Sequence, residues 1–401
     1  MTPRVVVTGT GVITPIGAGI EAFADALFRG QCGIAPDIPT SSGPVVAAGI
    51  QNFSPEPWLG AKGVRVLDRS ARLLCVAAHM ALEDAHLARG VEADADSNLG
   101  LVCGTMFGSV RSITAFDWSG LSDGPKYVNP MDFPNTVINS PAGQAAIRFK
   151  LRGVNSTISA GLASGVYAIH YASEFLRLGR ADALLAGGVE EFCEESYLGF
   201  HKNGLISPQG KASPFAADRD GTIVGEGSAL WVLETEAGAA RRGATPSLEI
   251  CGFGAAQDAH SITAFQPRAH GATAAIHEAL RSSGIGPEAI AVIIASAGGG
   301  RAGDAMEARA LAHVFGSRLA QIPVCAPKAS FGEPMGAAGA LLALTGALAL
   351  QRQAAPPTAG FHGAEWALSL SAEPQPLQGD YALVNCFGCD GNNASLVLKR
   401  C

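Results

Sequence analysis

The sequence predicts a layered α/β protein built of two similar halves, and three observations lead there. Strand-like stretches rich in β-branched residues alternate with helical spacing along the whole chain, the pattern of sheets covered by helices on both faces. A strand running into a glycine turn opens the chain at residues 4–17, and the same opening returns at 247–254. That repetition divides the chain into halves at 1–243 and 244–401. Finally, 401 residues with 48% hydrophobic and 16% charged side chains are enough to bury two cores and exclude a disordered chain.

Taken in order, residues 4–8 form a strand and 9–17 a tight loop at its end. Gly9, Gly11 and Gly17 resemble a dinucleotide fingerprint, but Thr14 stands where a third small residue is needed and no acidic ribose partner follows. Helices are predicted at 20–29 and 68–88, the second from the spacing of Ala71, Leu74, Cys75, Ala78, Ala81 and Leu82. A strand at 98–103 leads into an irregular, aromatic-bearing segment through 132, of the kind that covers a pocket or a subunit contact. A short helix at 141–149 follows. Then come a helix at 163–178 and a buried strand at 181–186 that ends in Gly187-Gly188-Val189-Glu190.

Residues 204–227 form a loop rich in Gly, Pro, Ser and Asp, and a loop of that length in a compact domain is usually functional. A strand at 229–234 and a helix at 235–242 close the first half. The second half carries a strand at 247–251, a helix at 271–283, a strand at 291–295 and a helix at 305–315. An apolar helix from 336 and strands at 381–385 and 394–399 complete it.

Composition narrows the function. A net charge of −7 and a pI near 5.7 leave no general footprint for nucleic acid or an anionic membrane. The longest apolar run, 337–350, is broken by Gly339, Thr345 and Gly346 and is too short for a bilayer, so it reads as a core helix. Met1-Thr2-Pro3-Arg4 leads directly into a strand, with no charged and apolar leader, which points to the cytoplasm. Nine cysteines are scattered; even Cys386 and Cys389 lack a second ligand pair, so neither metal nor cofactor is expected.

Residues 155–169 are read as a strand, a small-residue turn and the start of a helix. Such an elbow lifts one side chain into a pocket, at a helix N-terminus that favours negative charge. At its tip stands Leu162, which cannot be a nucleophile.

Several stretches together resemble the β-ketoacyl synthases, the condensing enzymes of fatty acid and polyketide synthesis. They are Val6–Gly17 as Val-Val-Thr-Gly-Thr-Gly-Val-Ile-Thr-Pro-Ile-Gly, Pro214-Phe215-Ala216-Ala217-Asp218-Arg219-Asp220-Gly221 with Gly225-Glu226-Gly227, and Asp258-Ala259-His260-Ser261-Ile262-Thr263. Lys328 through Gly339, and Asn385-Cys386-Phe387-Gly388 with Gly391-Asn392-Asn393-Ala394, complete the set. The resemblance spans nearly the whole chain and implies a thiolase-like fold, two similar halves in an α-β-α-β-α arrangement. It also implies a cysteine that takes the acyl group and two histidines that support decarboxylation. Here those positions are Leu162, Ser296 and Glu333, while the active-site lysine stays as Lys328. The gate motif becomes Phe387-Gly388-Cys389-Asp390-Gly391, without its second aromatic.

Self-sufficient condensation is therefore excluded from the expectation. The resemblance implies a chain-length factor, the inactive ketosynthase-like subunit that forms a heterodimer with an active ketosynthase in type II polyketide and aryl-polyene systems. Such a subunit serves an acyl carrier protein and shapes the tunnel for the growing chain. Phe107, Phe116, Trp118 and Phe133 are the wall and interface candidates, against ordinary packing. A second class is an acyl-processing enzyme with altered chemistry, in which Cys389, Glu333, Lys328 and Ser296 converge; a third is a non-catalytic homodimer that binds the carrier protein. Lys62, Arg65 and Arg69 face either an acidic carrier or solvent, His260 braces loops, and Asp218-Arg219-Asp220 forms an internal ion-pair corner.

Overall fold

A computed structural model describes residues 3–87 and 98–401; the end expected for the second helix, at Ala88, and Met1 and Thr2 of the N-terminal reading lie outside them. The first half contains β1 (Val5–Thr14), α1 (Ile20–Phe28), α2 (Arg69–Asp84), β2 (Leu99–Gly104), α3 (Val110–Asp123), α4 (Ser140–Phe149) and β3 (Asn155–Ile158). It continues with α5 (Ser164–Arg177), β4 (Ala183–Glu190), α6 (Glu194–Lys202), β5 (Gly227–Thr235) and α7 (Glu236–Arg241). The second half contains β6 (Leu248–Gln257), α8 (His270–Ser283), β7 (Ile290–Ile294), α9 (Arg301–Phe315), β8 (Val324–Cys325), α10 (Ala338–Arg352), β9 (Tyr381–Phe387) and β10 (Asn392–Arg400).

Strand order runs β1-β5-β4-β2-β3 in the first half and β6-β10-β9-β7-β8 in the second. The order is the same when each half's strands are numbered from its own start. The two runs join where Val5, Val6 and Val7 of β1 pair with Ile250, Glu249 and Leu248 of β6. Side-chain alternation then builds three cores. Leu184 and Ala186 of β4, and Ala382 and Val384 of β9, face a central layer formed by α5 and α10. Ala183, Leu185 and Val189 face outward against α2 and α4, and Leu383 faces outward against α8 and α9. The result is the expected layered, thiolase-like α/β fold.

The helix at the centre explains the apolar run. Met335–Arg352 is long and apolar enough to cross a membrane, yet 89% of it is buried inside the fold. It is flanked on both sides by sheet and by α5, so an apolar surface all round is what its position requires.

Glycine accounts for three departures from the sequence reading. Residues 9–14 continue β1, the segment 187–190 continues β4, and 252–254 continue β6, where turns or strand ends were expected. The first and third share one cause. A Cβ on Gly9 or Gly11 would collide with the Ala81 and Ala77 carbonyls of α2, and one on Gly252 or Gly254 would collide with the Ala279 and Ala275 carbonyls of α8. Each half thus lays an alanine-faced helix across a glycine pair in its first strand. Gly188 likewise admits the backbone at Gly336 and Ala337.

Two of the longer helices were not anticipated. The segment expected to be irregular contains α3, none of whose side chains is fully buried, so no single apolar stripe marked it in the sequence. Helix α6 lies just before the long loop, with Ser196 and Phe200 as its buried residues. Two buried positions in nine leave too little periodicity to read.

Candidate functional site

The elbow takes the expected form. Strand β3 ends at Ile158, Gly161 adopts φ +57°, and α5 begins at Ser164. Gly161 is required there by conformation and by contact, since a Cβ would run into the Asp390 carboxylate. Ser164 Oγ accepts a 2.9 Å hydrogen bond from the Ala160 N–H and donates at 2.6 Å to the Gly161 carbonyl, closing the turn. Leu162, 5% exposed, is held at the tip and points into a cavity of about 60 Å³.

Five other predicted residues line the same cavity: Ser296, Lys328, Glu333, Phe387 and Cys389. Lys328 Nζ and Glu333 Oε2 lie 2.5 Å apart in a fully buried ion pair, and the other Glu333 oxygen accepts from the Met335 N–H at 3.1 Å. Burial works to lower the Lys328 pKa, but the Glu333 charge and hydrogen bond raise it on balance, so the ammonium is held charged. Ser296 Oγ accepts from the Phe387 N–H at 2.9 Å and faces the Phe387 carbonyl at 3.4 Å. Its hydroxyl is committed to the gate strand.

The thiols here are poor nucleophiles. Cys386 is buried, with Sγ 3.2 Å from the Leu162 carbonyl, and burial pushes its pKa to about 12. Cys389 is half-buried; burial first, then the Asp390 and Glu333 carboxylates, push it to about 11. At neutral pH Cys389 therefore stays a thiol. Asp390 does not line the cavity; it wedges against Gly161 and Gly388 and accepts from Asn392 Nδ2 at 2.9 Å.

Several lining residues escaped the sequence reading. Asp304 and Glu307 project from the first two turns of α9. Asp304 accepts from the Phe215 N–H at 2.7 Å, and Glu307 accepts from the Ser296 N–H and Asn385 Nδ2, each at 3.0 Å. Burial raises these acids to about 6 and about 7 against those hydrogen bonds. Two acids spaced i, i+3 on an otherwise apolar helical face were the available signal. Phe200 and Leu205 belong to α6 and the turn after it, and with Cys389 they separate this cavity from a second of about 250 Å³.

The second cavity contains Met106, Phe107, Val110 and Ile262. Of the four wall candidates only Phe107 reaches it. Phe116 and Phe133 pack against each other at 6.0 Å between centroids, and Phe133 and Trp118 are exposed. Leu121, Tyr127, Met131 and Ile147 are exposed as well.

The remaining residues are structural or superficial. Arg69 is committed to Glu226 at 2.6 Å and to the Ile50 carbonyl, while Lys62 and Arg65 are exposed. The ion-pair corner forms with partners outside the triplet: Arg219 with Glu365 and the Trp366 ring, Asp218 with His362. His260 is exposed; Asp258 braces that loop by accepting from the Gly271 N–H. Among the described residues no group of three or more His, Cys, Asp or Glu is arranged to hold a metal ion.

Fold and site together define a condensing-enzyme scaffold whose elbow carries an aliphatic side chain. The chain matches the family described as Beta-ketoacyl synthase, N-terminal domain, over residues 2–239 and its C-terminal domain over 248–362. It is 32% identical to 3-oxoacyl-[acyl-carrier-protein] synthase 2 of Coxiella burnetii, over 99% of this chain and 98% of that one. Among solved structures it resembles the ishigamide ketosynthase/chain length factor, with TM-score 0.92, 29% identity and full coverage of both chains. A β-ketoacyl synthase from Burkholderia phymatum is similar at TM-score 0.91 and 30% identity, again with full coverage of both. The chain belongs to the β-ketoacyl synthase family.

Proposed function

We propose that this chain is a non-catalytic chain-length factor that pairs with an active ketosynthase and shapes the chain tunnel in type II polyketide or aryl-polyene synthesis. One observation carries the reading: the cavity at the elbow holds Leu162, a Lys328 neutralised by Glu333, and a Ser296 tied to Phe387, in place of a thiol and two imidazoles. The curated relatives are named as synthases, and the reading for this chain departs from that activity.

Exposed apolar side chains support a partner. Trp118 is 68% exposed, Leu121 80% and Ile147 77%, large apolar side chains that a partner would cover. Strand β3 ends the sheet and pairs on one side only, with β2, among the described residues. An active ketosynthase and an acyl carrier protein are the partners proposed, in the cytoplasm, with the two halves of the chain meeting at Gly243.

Co-expression with an active type II ketosynthase is expected to give a stable 1:1 complex. A homodimer indifferent to that subunit would overturn the reading in favour of a carrier-binding homodimer. A second, enzymatic reading has one observation behind it, the convergence of Cys389, Glu333, Lys328 and Ser296 in one cavity, beside the buried acids Asp304 and Glu307. Intact mass after incubation with acyl-carrier thioesters decides it: an adduct on Cys389, or turnover by the chain alone, would establish altered chemistry.

A further inference from the structure

Glu191 follows the last residue of β4 and is 2% exposed, yet neither carboxylate oxygen has a hydrogen-bond partner. A buried carboxyl without partners is costly when charged. The groups facing it come from three other elements. Asp68 and Arg69 stand at the start of α2, Arg111 lies in the first turn of α3, and Glu226 precedes β5; Cys193 lies on its own segment.

Those neighbours are unequal in what they can offer. Arg69 is engaged with Glu226 through two nitrogens, at 2.7 and 2.6 Å, and with the Ile50 carbonyl. Asp68 caps α2 by accepting from the Ala71 N–H at 2.8 Å, and its other oxygen accepts from Ser112 Oγ at 3.2 Å. Arg111, exposed and facing a polar cavity of about 330 Å³ with Arg69 and Glu226, is the neighbouring cation without a hydrogen bond or ion pair among the described residues.

Helix α3 is loosely seated. None of its side chains is fully buried, and Ser112 on Asp68 fastens its first turn to α2. We propose that Glu191 is a proton-controlled seat for α3: neutral, it leaves Arg111 turned to solvent, and charged, it draws Arg111 inward and resets the helix that presents Trp118 and Leu121. Among the described residues that face it, the charged state has one free cation to recruit, Arg111. The neutral state needs none.

Burial, reinforced by the Asp68 and Glu226 carboxylates and opposed by Arg111 and Arg69, raises the Glu191 pKa to about 8. The seat therefore changes state within the range of mild alkaline solutions. It does so whatever molecule covers Trp118 and Leu121, so the inference stands apart from the proposed partner.

Incorporation of 5-fluorotryptophan labels the four tryptophans, and Trp118→Phe assigns the resonance on α3. In the full-length chain alone, the Trp118 resonance is expected to move between pH 6 and 9.5 with a midpoint near 8. Glu191→Gln should abolish that movement while the other three resonances stay in place, which also reports that the variant is folded. Arg111→Ala should abolish it too. A Trp118 resonance that does not titrate, or one that titrates unchanged in Glu191→Gln, would overturn the proposal; so would an unchanged titration in Arg111→Ala.

Discussion

Lys328 and Glu333 are held at 2.5 Å with almost no exposure, so each is tolerated only because the other is present. Removing one partner leaves an uncompensated buried charge. Lys328→Ala is expected to cost about 3–5 kcal/mol, whereas Lys328→Met combined with Glu333→Leu should cost much less; denaturant unfolding of both variants checks the contrast. Leu162 poses the opposite problem. Leu162→Cys leaves a void at the elbow and is expected to lose about 1–3 kcal/mol without gaining condensation, because the neighbouring Ser296 and Glu333 supply no imidazole; assay in the presence of the partner ketosynthase's inactivated form reads this directly. Glu191 adds a pH dependence. It is an acid whose folded pKa, about 8, lies above its ordinary value of 4.5, so the unfolded chain releases the proton first as pH rises. Its contribution is full below about 4.5 and declines toward 8. Glu191→Gln should therefore gain stability over the parent as pH rises through that window, by about 4–5 kcal/mol at its upper end, as followed by the difference in thermal unfolding.

At the scale of elements, the paired glycines of β1 and β6 set how closely α2 and α8 can lie on their sheets. Added methyl groups at Gly11 or Gly254 would meet helix backbone, which cannot swing aside. Gly11→Ala and Gly254→Ala are each expected to destabilise by about 1–3 kcal/mol, and the two losses should add because the sites lie in separate cores. This is also where reading from the sequence fell short. Glycine more often punctuates a turn, and in these strands its role is to have no side chain where a helix crosses. Helix α3 was missed for a related reason: its apolar residues face outward, so the periodicity that reveals a helix by its buried stripe was absent. The elbow, by contrast, was legible, because Asn155–Ile158, the small residues after it and the α5 spacing form a local pattern that needs no distant contact.

For the whole molecule, the proposed partner contact runs through the exposed apolar side chains of α3. Trp118→Glu with Leu121→Glu should leave the fold intact, since both side chains are exposed, and should sharply reduce recovery of the 1:1 complex on co-expression. Circular dichroism and size-exclusion chromatography of the variant separate loss of partner from loss of fold. A complex that forms equally well would move the contact away from α3. Phe107 provides a second handle. It lines the inner cavity while Phe116, Trp118 and Phe133 do not, so its truncation to Ala should alter product length in the assembled complex more than truncation of Phe116.

The fold class and the elbow were legible in the sequence itself, because each rests on local spacing and residue type: alternating strand and helix periods and a strand-turn-helix run; positions 162, 296 and 333 are singled out there by motif spacing alone. Only the tertiary structure decided what those positions do to one another. Residues 162, 296, 328, 333, 387 and 389 come from four separate stretches, and their meeting in one cavity depends on how the two half-sheets close over α5 and α10. The same closure neutralises Lys328 with Glu333, buries Glu191 without a partner, and divides the aromatic candidates into one that faces the interior and three that do not. Burial and pairing are properties of distances across the fold, and linear order does not contain them.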